Sequence, residues 1–312
     1  MTIGVGIGLA ECPFSDGAGF WRWVDMCEAG GVDSIWQTDR LISPMPMLEC
    51  MSVMAALAGH TKRMRFGMNV VSMAMRDPVL CAKQCATIDF LSEGRVLPAF
   101  GIGSPLGPEW DAMDLSTKTR GRVTDEALDV ITKLWTEDHV NFEGRHFTLR
   151  DATISPKPVQ RELPMWIGGG SKAAIARTAR IGTGWIGGPE TPAETAPIVA
   201  GIRAAVKEAG RSIDDDHYGS SFPFYFGRLS DDVMQGPIAT YAKRSNADPT
   251  DYFGVGDADA IVERIAEYVD AGVSKFIVRP VAVDEAFVLE QTQRLIDEVL
   301  PKVEARFNQA AA

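Results

Sequence analysis

The stretch Glu28-Ala29-Gly30-Gly31-Val32-Asp33-Ser34-Ile35-Trp36 carries a helical pattern up to a glycine and, within a few residues, becomes a short apolar run. The same order returns at Ala179-Arg180-Ile181-Gly182-Thr183-Gly184-Trp185-Ile186-Gly187 and at Ala271-Gly272-Val273-Ser274-Lys275-Phe276-Ile277-Val278. Glycine supplies the left-handed backbone that closes a helix, and an unbroken apolar run is how a strand reads when helices cover both its faces. Helix, tight turn and buried strand, repeated along one chain, predict an α/β protein with a parallel sheet. Such folds put their chemistry at the C-terminal ends of the strands, so the residues there are the candidates for a site.

The apolar opening through Ala10 reads as strand one, and Phe20, Trp23, Val24 and Cys27 fall at i, i+3, i+4 and i+7 of a helix ahead of strand two, Ser34 to Thr38. A Met-rich helix is predicted near Pro46 to Ala58, strand three over 65–71, a helix over 78–91 with Pro78 at its start, and strand four over 95–101. A longer helix carries Ala127, Leu128, Ile131, Leu134 and Trp135 on one face. Two short alternating runs flank Glu143-Gly144, a hairpin signal, and residues 137–161 are read as an insertion after strand four inside a single domain, 1–312. Strands five to eight follow at 164–167, 184–187, 222–226 and 276–278, with helices between them and a last helix to about Lys302. Residues 230–256 are less readable, and the tail from Asn308 to Ala312 is expected to fray. Eight strands and about as many helices favour a closed (β/α)8 TIM barrel over an open sheet.

Composition sets the limits. The 312 residues, 46% hydrophobic and 23% charged, suit a globular enzyme with a sizeable core. A formal net charge of -11 with scattered basic residues removes the attraction that nucleic acid or an anionic membrane needs. The opening segment has no basic leader region and is too short to span a bilayer, so the expectation is a cytoplasmic protein. Cys12, Cys27, Cys50, Cys81 and Cys85 are an odd number without framework spacing and read as reduced, buried thiols. No metal centre is predicted: Cys81 and Cys85 lack a nearby histidine, the four histidines share no close spacing, and Asp214-Asp215-Asp216 reads as a solvated turn.

Three places could carry chemistry. Trp166-Ile167-Gly168-Gly169-Gly170-Ser171-Lys172 joins a strand end to a helix start, with Ser171 as N-cap. It is either an anion cradle of backbone N–H groups or a plain connecting loop. If a cradle, bulky residues at Gly169 or Gly170 weaken cofactor binding with little loss of fold. Phe100-Gly101-Ile102-Gly103-Ser104-Pro105-Leu106-Gly107 approaches a dinucleotide fingerprint but spaces its third glycine one residue too far. Strand two ends in Asp39-Arg40, either a catalytic pair at a barrel rim or an ordinary salt bridge. Trp21, Trp23, Trp36 and Trp110, with the methionines, hint at an apolar substrate pocket or at core.

Cys27 to Asp39, Cys85-Ala86-Thr87-Ile88-Asp89-Phe90-Leu91-Ser92-Glu93-Gly94-Arg95, Phe142-Glu143-Gly144-Arg145 and Pro156-Lys157-Pro158-Val159-Gln160, followed by the Gly168 to Ser171 loop, occur in an order that resembles the bacterial luciferase-like monooxygenase family. The resemblance runs from residue 1 to about 304. It implies an interrupted eight-stranded barrel that binds FMN or the deazaflavin coenzyme F420, usually as a homodimer. It matches Gly168, Gly169, Gly170 and Ser171 to the loop near the cofactor phosphate, Gly103 and Ser104 to a turn beside the ring, and Gly67, Met68 and Asn69 to the strand-three position behind the ring, where an irregular backbone with a non-prolyl cis peptide is expected. Family members often carry an Asp-His pair at the end of strand two. Here Asp39 is followed by Arg40, which cannot act as a base but can hold an anion or steady negative charge on a reduced flavin. The expected activity is an FMN-dependent monooxygenase acting on a small organic molecule and fed by a separate flavin reductase. The alternatives are an F420-dependent hydride-transfer dehydrogenase or reductase and a non-catalytic flavin-binding homologue. The helices after strands two and three, with Met45, Met47, Met51, Met54 and Leu57, are expected to form a two-fold interface.

Overall fold

The computed structural model describes residues 2–309. In chain order the strands and helices are β1 (Gly4–Leu9), α1 (Gly17–Ala29), β2 (Ser34–Gln37), α2 (Cys50–His60), β3 (Arg65–Met68), β4 (Val71–Ser72), α3 (Pro78–Ser92), β5 (Val96–Leu97), β6 (Ala99–Gly101), α4 (Glu109–Ala112), α5 (Arg120–Thr136), β7 (Val140–Glu143) and β8 (Thr148–Ala152). There follow β9 (Trp166–Gly168), α6 (Lys172–Ile181), β10 (Gly184–Ile186), α7 (Pro192–Glu208), β11 (Tyr218–Tyr225), α8 (Gln235–Ala242), β12 (Gly254–Val255), α9 (Ala258–Asp270), β13 (Lys275–Pro280), α10 (Glu285–Arg294) and α11 (Leu300–Val303). The chain divides into two compact units: unit 1, Met1–Trp36 with Gly169–Ala312, and unit 2, Gln37–Gly168.

In unit 1, β10, β11, β13 and β1 pair in that order, all parallel, and β12 adds to β11. Their buried faces meet α6 and α7, where Trp185, Tyr218, Val199, Ile202 and Val206 form one cluster, and Phe222 stacks on Tyr268 with ring centroids 5.5 Å apart. Helix α1 buries Phe20, Trp23, Val24 and Cys27, the four residues whose spacing predicted it. Of the three helix-ending turns, Gly31 (φ 78°) and Gly272 (φ 91°) adopt the left-handed backbone expected there. Gly182 does not. It is extended (φ -68°, ψ 142°), and glycine is needed for room, since a Cβ would stand 2.9 Å from the Thr178 carbonyl oxygen.

In unit 2, β3 pairs β5 and β4 pairs β6, which pairs β9, again all parallel. Strand three is broken between β3 and β4, and the peptide bond Asn69–Val70 is cis, at the place where an irregular backbone was expected. Strand four is also split in two, at Pro98. Helix α5 buries all five of the residues predicted to share its inner face. The antiparallel hairpin β7–β8 lies inside the 137–161 stretch read as an insertion. The Met-rich helix begins later than predicted, because Glu49 rather than Pro46 caps it, its carboxylate accepting from Met51 N–H and Ser52 N–H.

The α10 helix continues as π-helical and α-helical turns through Asn308. Asn308 is tied down: its side chain accepts from Ile3 N–H (2.8 Å) and donates to Ile3 O (3.1 Å), so the expected fraying does not begin there. The rest of that tail, residues 310–312, lies outside the described residues. Four cysteines are buried, Cys12 is half-buried, and none forms a disulfide. Among the described residues no helix is long and apolar enough to cross a membrane.

Candidate functional site

The strand ends of unit 2 gather charge. Asp39, just past β2, is buried, accepts from Ser72 N–H (2.9 Å) and forms an ion pair with Arg76, which also reaches Glu49 at 3.1 Å. Arg40 pairs instead with the buried Glu109, 3.1 Å away. The two neighbours are therefore not each other's salt bridge, the ordinary alternative for them; each is engaged by a residue far along the chain. Both oxygens of Asp39 are occupied, which makes it a group that fixes the β4 turn and Arg76 in place.

Val70, on the far side of the cis bond, explains two glycines. A Cβ on Gly101 would come within 2.7 Å of Val70 Cγ2, and one on Gly168 within 2.9 Å. Gly67 and Met68 lie in β3, where Met68 is fully buried, and Asn69 N–H donates to Gln37 O (2.9 Å). Gly103 is left-handed (φ 74°) and packs against Ser72 and Trp110. Ser104 is exposed, and its carbonyl accepts from Trp110 Nε1 (2.7 Å). Trp23, Trp36 and Trp110 are buried with their indole N–H groups satisfied by Thr292, Ser34 and Ser104, so core packing, not a pocket, accounts for these three.

In unit 1, Gly169 is pinned at both ends to β10: its N–H donates to Ile186 O (3.1 Å) and its carbonyl accepts from Trp185 Nε1 (2.9 Å). Its φ of 104° favours glycine. Helix α6 follows, and its first-turn N–H groups have no partners within the helix. Ser171 Oγ takes one of them, that of Ala174. The remaining donors and the positive end of the helix suit a phosphate, and Lys172 stands exposed beside them. The expectation that bulk at these glycines spares the fold fails at Gly169, which resists any side chain through its φ; at Gly170 a Cβ would lie 2.5 Å from Ile198 Cδ1 and 3.1 Å from Glu190 Oε1, ends of side chains that would have to move aside.

Glu190 is half-buried, with no cation among the causes that act on it; burial, first, and then Glu194 push its carboxyl above the ordinary range, against backbone hydrogen bonds that lower it. Sequence reasoning passed over Glu190, Arg76 and Glu109. They are single charged residues in a chain with many, and only the folded backbone sets them beside a glycine loop or a strand end. Asp214, Asp216 and His217 bring three ligand atoms within 4.8 Å of one another, but in an exposed turn, as the solvated reading had it, and nothing else there points to a metal.

The model of the family described as luciferase-like monooxygenase matches residues 15–251. The chain belongs to that family. An uncharacterized protein of Mycobacterium tuberculosis is 32% identical over 168 residues, 54% of this chain and 57% of that protein, so the match spans little more than half of the relative's length. An F420-dependent glucose-6-phosphate dehydrogenase of Amycolatopsis mediterranei is 26% identical over 318 residues, covering 89% of this chain and 92% of that one. The solved structure of an F420-dependent secondary alcohol dehydrogenase, in complex with an F420–acetone adduct, superposes with a TM-score of 0.81 at 20% identity, over 97% of this chain and 99% of the other. The fold is thereby that of the luciferase-like TIM barrels; the strand count favoured a closed barrel and the resemblance implied the luciferase-like type.

Proposed function

We propose that the protein is an oxidoreductase that uses coenzyme F420 to move hydride to or from a small organic substrate. The observation that carries this reading is similarity along 89% of the chain to an F420-dependent dehydrogenase, with a loop at α6 whose free N–H groups fit a cofactor phosphate. The cofactor supplies the redox chemistry at its ring. The chain's part is to bind and orient. Gly170, Ser171 and Lys172 hold the phosphate, Gly168 and Gly169 shape the loop, and Gly67, Met68, Asn69, Gly103 and Ser104 form the strand-end backbone that takes the ring. Asp39 fixes Arg76 and the β4 turn, and Arg40, paired with Glu109, offers positive charge but no base.

A second reading, an FMN-dependent monooxygenase served by a flavin reductase, is favoured by the match to the luciferase-like monooxygenase model. Titrating the purified protein with F420 and FMN, each oxidised and reduced, and following ring absorbance or fluorescence, separates the two. Saturable binding of F420 is the expected result. Binding of FMN alone moves the assignment to the monooxygenase, and tight binding without turnover across candidate substrates moves it to a flavin-binding homologue. A cytoplasmic homodimer completes the proposal.

A further inference from the structure

Unit 1 holds a cavity of about 320 Å³ at the C-terminal ends of β1, β11 and β13, bordered by α8 and the turn before β12. Its wall is aromatic: Tyr241 and Tyr252 stack with centroids 4.5 Å apart and 8° between planes, and Phe253 meets both edge-on. Two guanidinium groups reach this wall, Arg279 from β13 and Arg244 from just after α8. Arg279 Nη2 donates to the Tyr252 hydroxyl oxygen (2.8 Å), and that hydroxyl donates to Ser221 O (3.1 Å). Arg279 Nε is buried with no acceptor, and among the described residues neither arginine has a carboxylate partner. Of the lining residues only Glu11 is acidic, one negative charge against two positive ones.

A buried N–H donor without an acceptor costs free energy, and the cost is recovered when an acceptor arrives. The planar fork of a guanidinium matches two oxygens of a carboxylate or phosphate, and an aromatic, poorly hydrated wall strengthens the attraction. We propose that Arg279 and Arg244 form an oxyanion subsite that holds a carboxylate or phosphate group of the substrate, with the stacked tyrosines against its carbon skeleton. Calling the ligand a substrate rests on the oxidoreductase reading; the subsite itself does not.

The test labels the arginines of the full chain with nitrogen-15 and follows the Arg279 Nε–H resonance, assigned by its loss in R279Q, while inorganic phosphate or acetate is added at constant ionic strength. A saturable shift with at least one of them is expected, and its apparent Kd should rise about tenfold in R244Q, whose altered side chain is exposed and leaves the fold intact. A shift with phosphate alone identifies a phosphate ester as the ligand class, with acetate alone a carboxylate, and with both a general oxyanion site. No saturable shift with either, or an unchanged Kd in R244Q, overturns the proposal. Phosphate bound at the glycine loop is told apart with K172Q, in which the Arg279 shift and its Kd should be unchanged. F420 titration of the parent reports separately on the cofactor, so loss of that reading and loss of the subsite give different patterns.

Discussion

Asp39 reads from sequence as half of an Asp39-Arg40 pair, yet its partners are Ser72 and Arg76, more than thirty residues on. Local sequence exposes a charge at a strand end but not which distant group answers it, because every lysine and arginine is a candidate until the backbone is folded. The glycines were more legible, since a backbone that needs φ near 100° or has a neighbour within 3 Å admits almost nothing else. Asp39→Asn leaves the largely buried Arg76 with Glu49 alone, and the expected loss is about 3 kcal/mol of folding stability, read from urea denaturation. An unchanged midpoint would mean that the pair contributes nothing. Glu190 gives a prediction in pH. Its carboxyl is raised above the ordinary 4.5, so the folded state holds the proton more tightly than the unfolded chain does. That stability is fully present below about pH 4.5 and is lost as pH rises through the raised value. Glu190→Gln should therefore raise Tm at pH 7, with the gain shrinking to nothing as pH falls below 4.5, whereas equal Tm values at both pH values would show that burial carries no cost here.

Helices with a clear apolar face, such as α1 and α5, were readable to within a few residues, because burial imposes a period that the side chains must follow. The breaks in strands three and four were less so: a cis peptide and a proline interrupt pairing without altering the apolar run. Segment 230–256 folds into α8, β12 and short 3-10 turns, elements too brief to display a period. The motifs that carried the family resemblance turn out to be joints. Asp89 accepts from Val159 N–H, Gln160 N–H and Gln160 Nε2, and Arg95 donates to the carbonyls of Ala58, Thr61 and Met64 at the end of α2. At the Gly182 turn, Gly182→Ala should cost about 1–3 kcal/mol, because the new Cβ presses on the Thr178 backbone, which cannot yield as a side chain would; calorimetry checks it. For the α6 loop the informative change is Lys172→Gln. It is exposed, so Tm should hold while cofactor affinity falls about two- to fivefold; unchanged affinity would remove the lysine from the phosphate site.

At the scale of the whole molecule, net charge and composition marked an enzyme-like globular chain, while the choice between cofactors is not written in any local motif. For assembly, Met51, Met54 and Leu57 are buried within unit 2, whereas Met45 is exposed, and on α3, the helix after strand three, Leu80, Phe90 and Leu91 are each more than half exposed; these are the residues a proposed two-fold contact would use. Light scattering should find a dimer at micromolar concentration that Leu80→Asp shifts toward monomer; a parent that is already monomeric refutes the contact. The pairing of β1 with β13 has a different reach. Strand β1 leaves the ribosome before β13, which is completed some 270 residues later, and synthesis at cellular rates makes that interval on the order of tens of seconds. All of unit 2 emerges within it, as one contiguous piece. For that time the nascent chain carries an apolar strand one of whose two neighbours, β13, does not yet exist, and the demand this places on whatever shields emerging chains is set by topology, not by the stability of the finished protein.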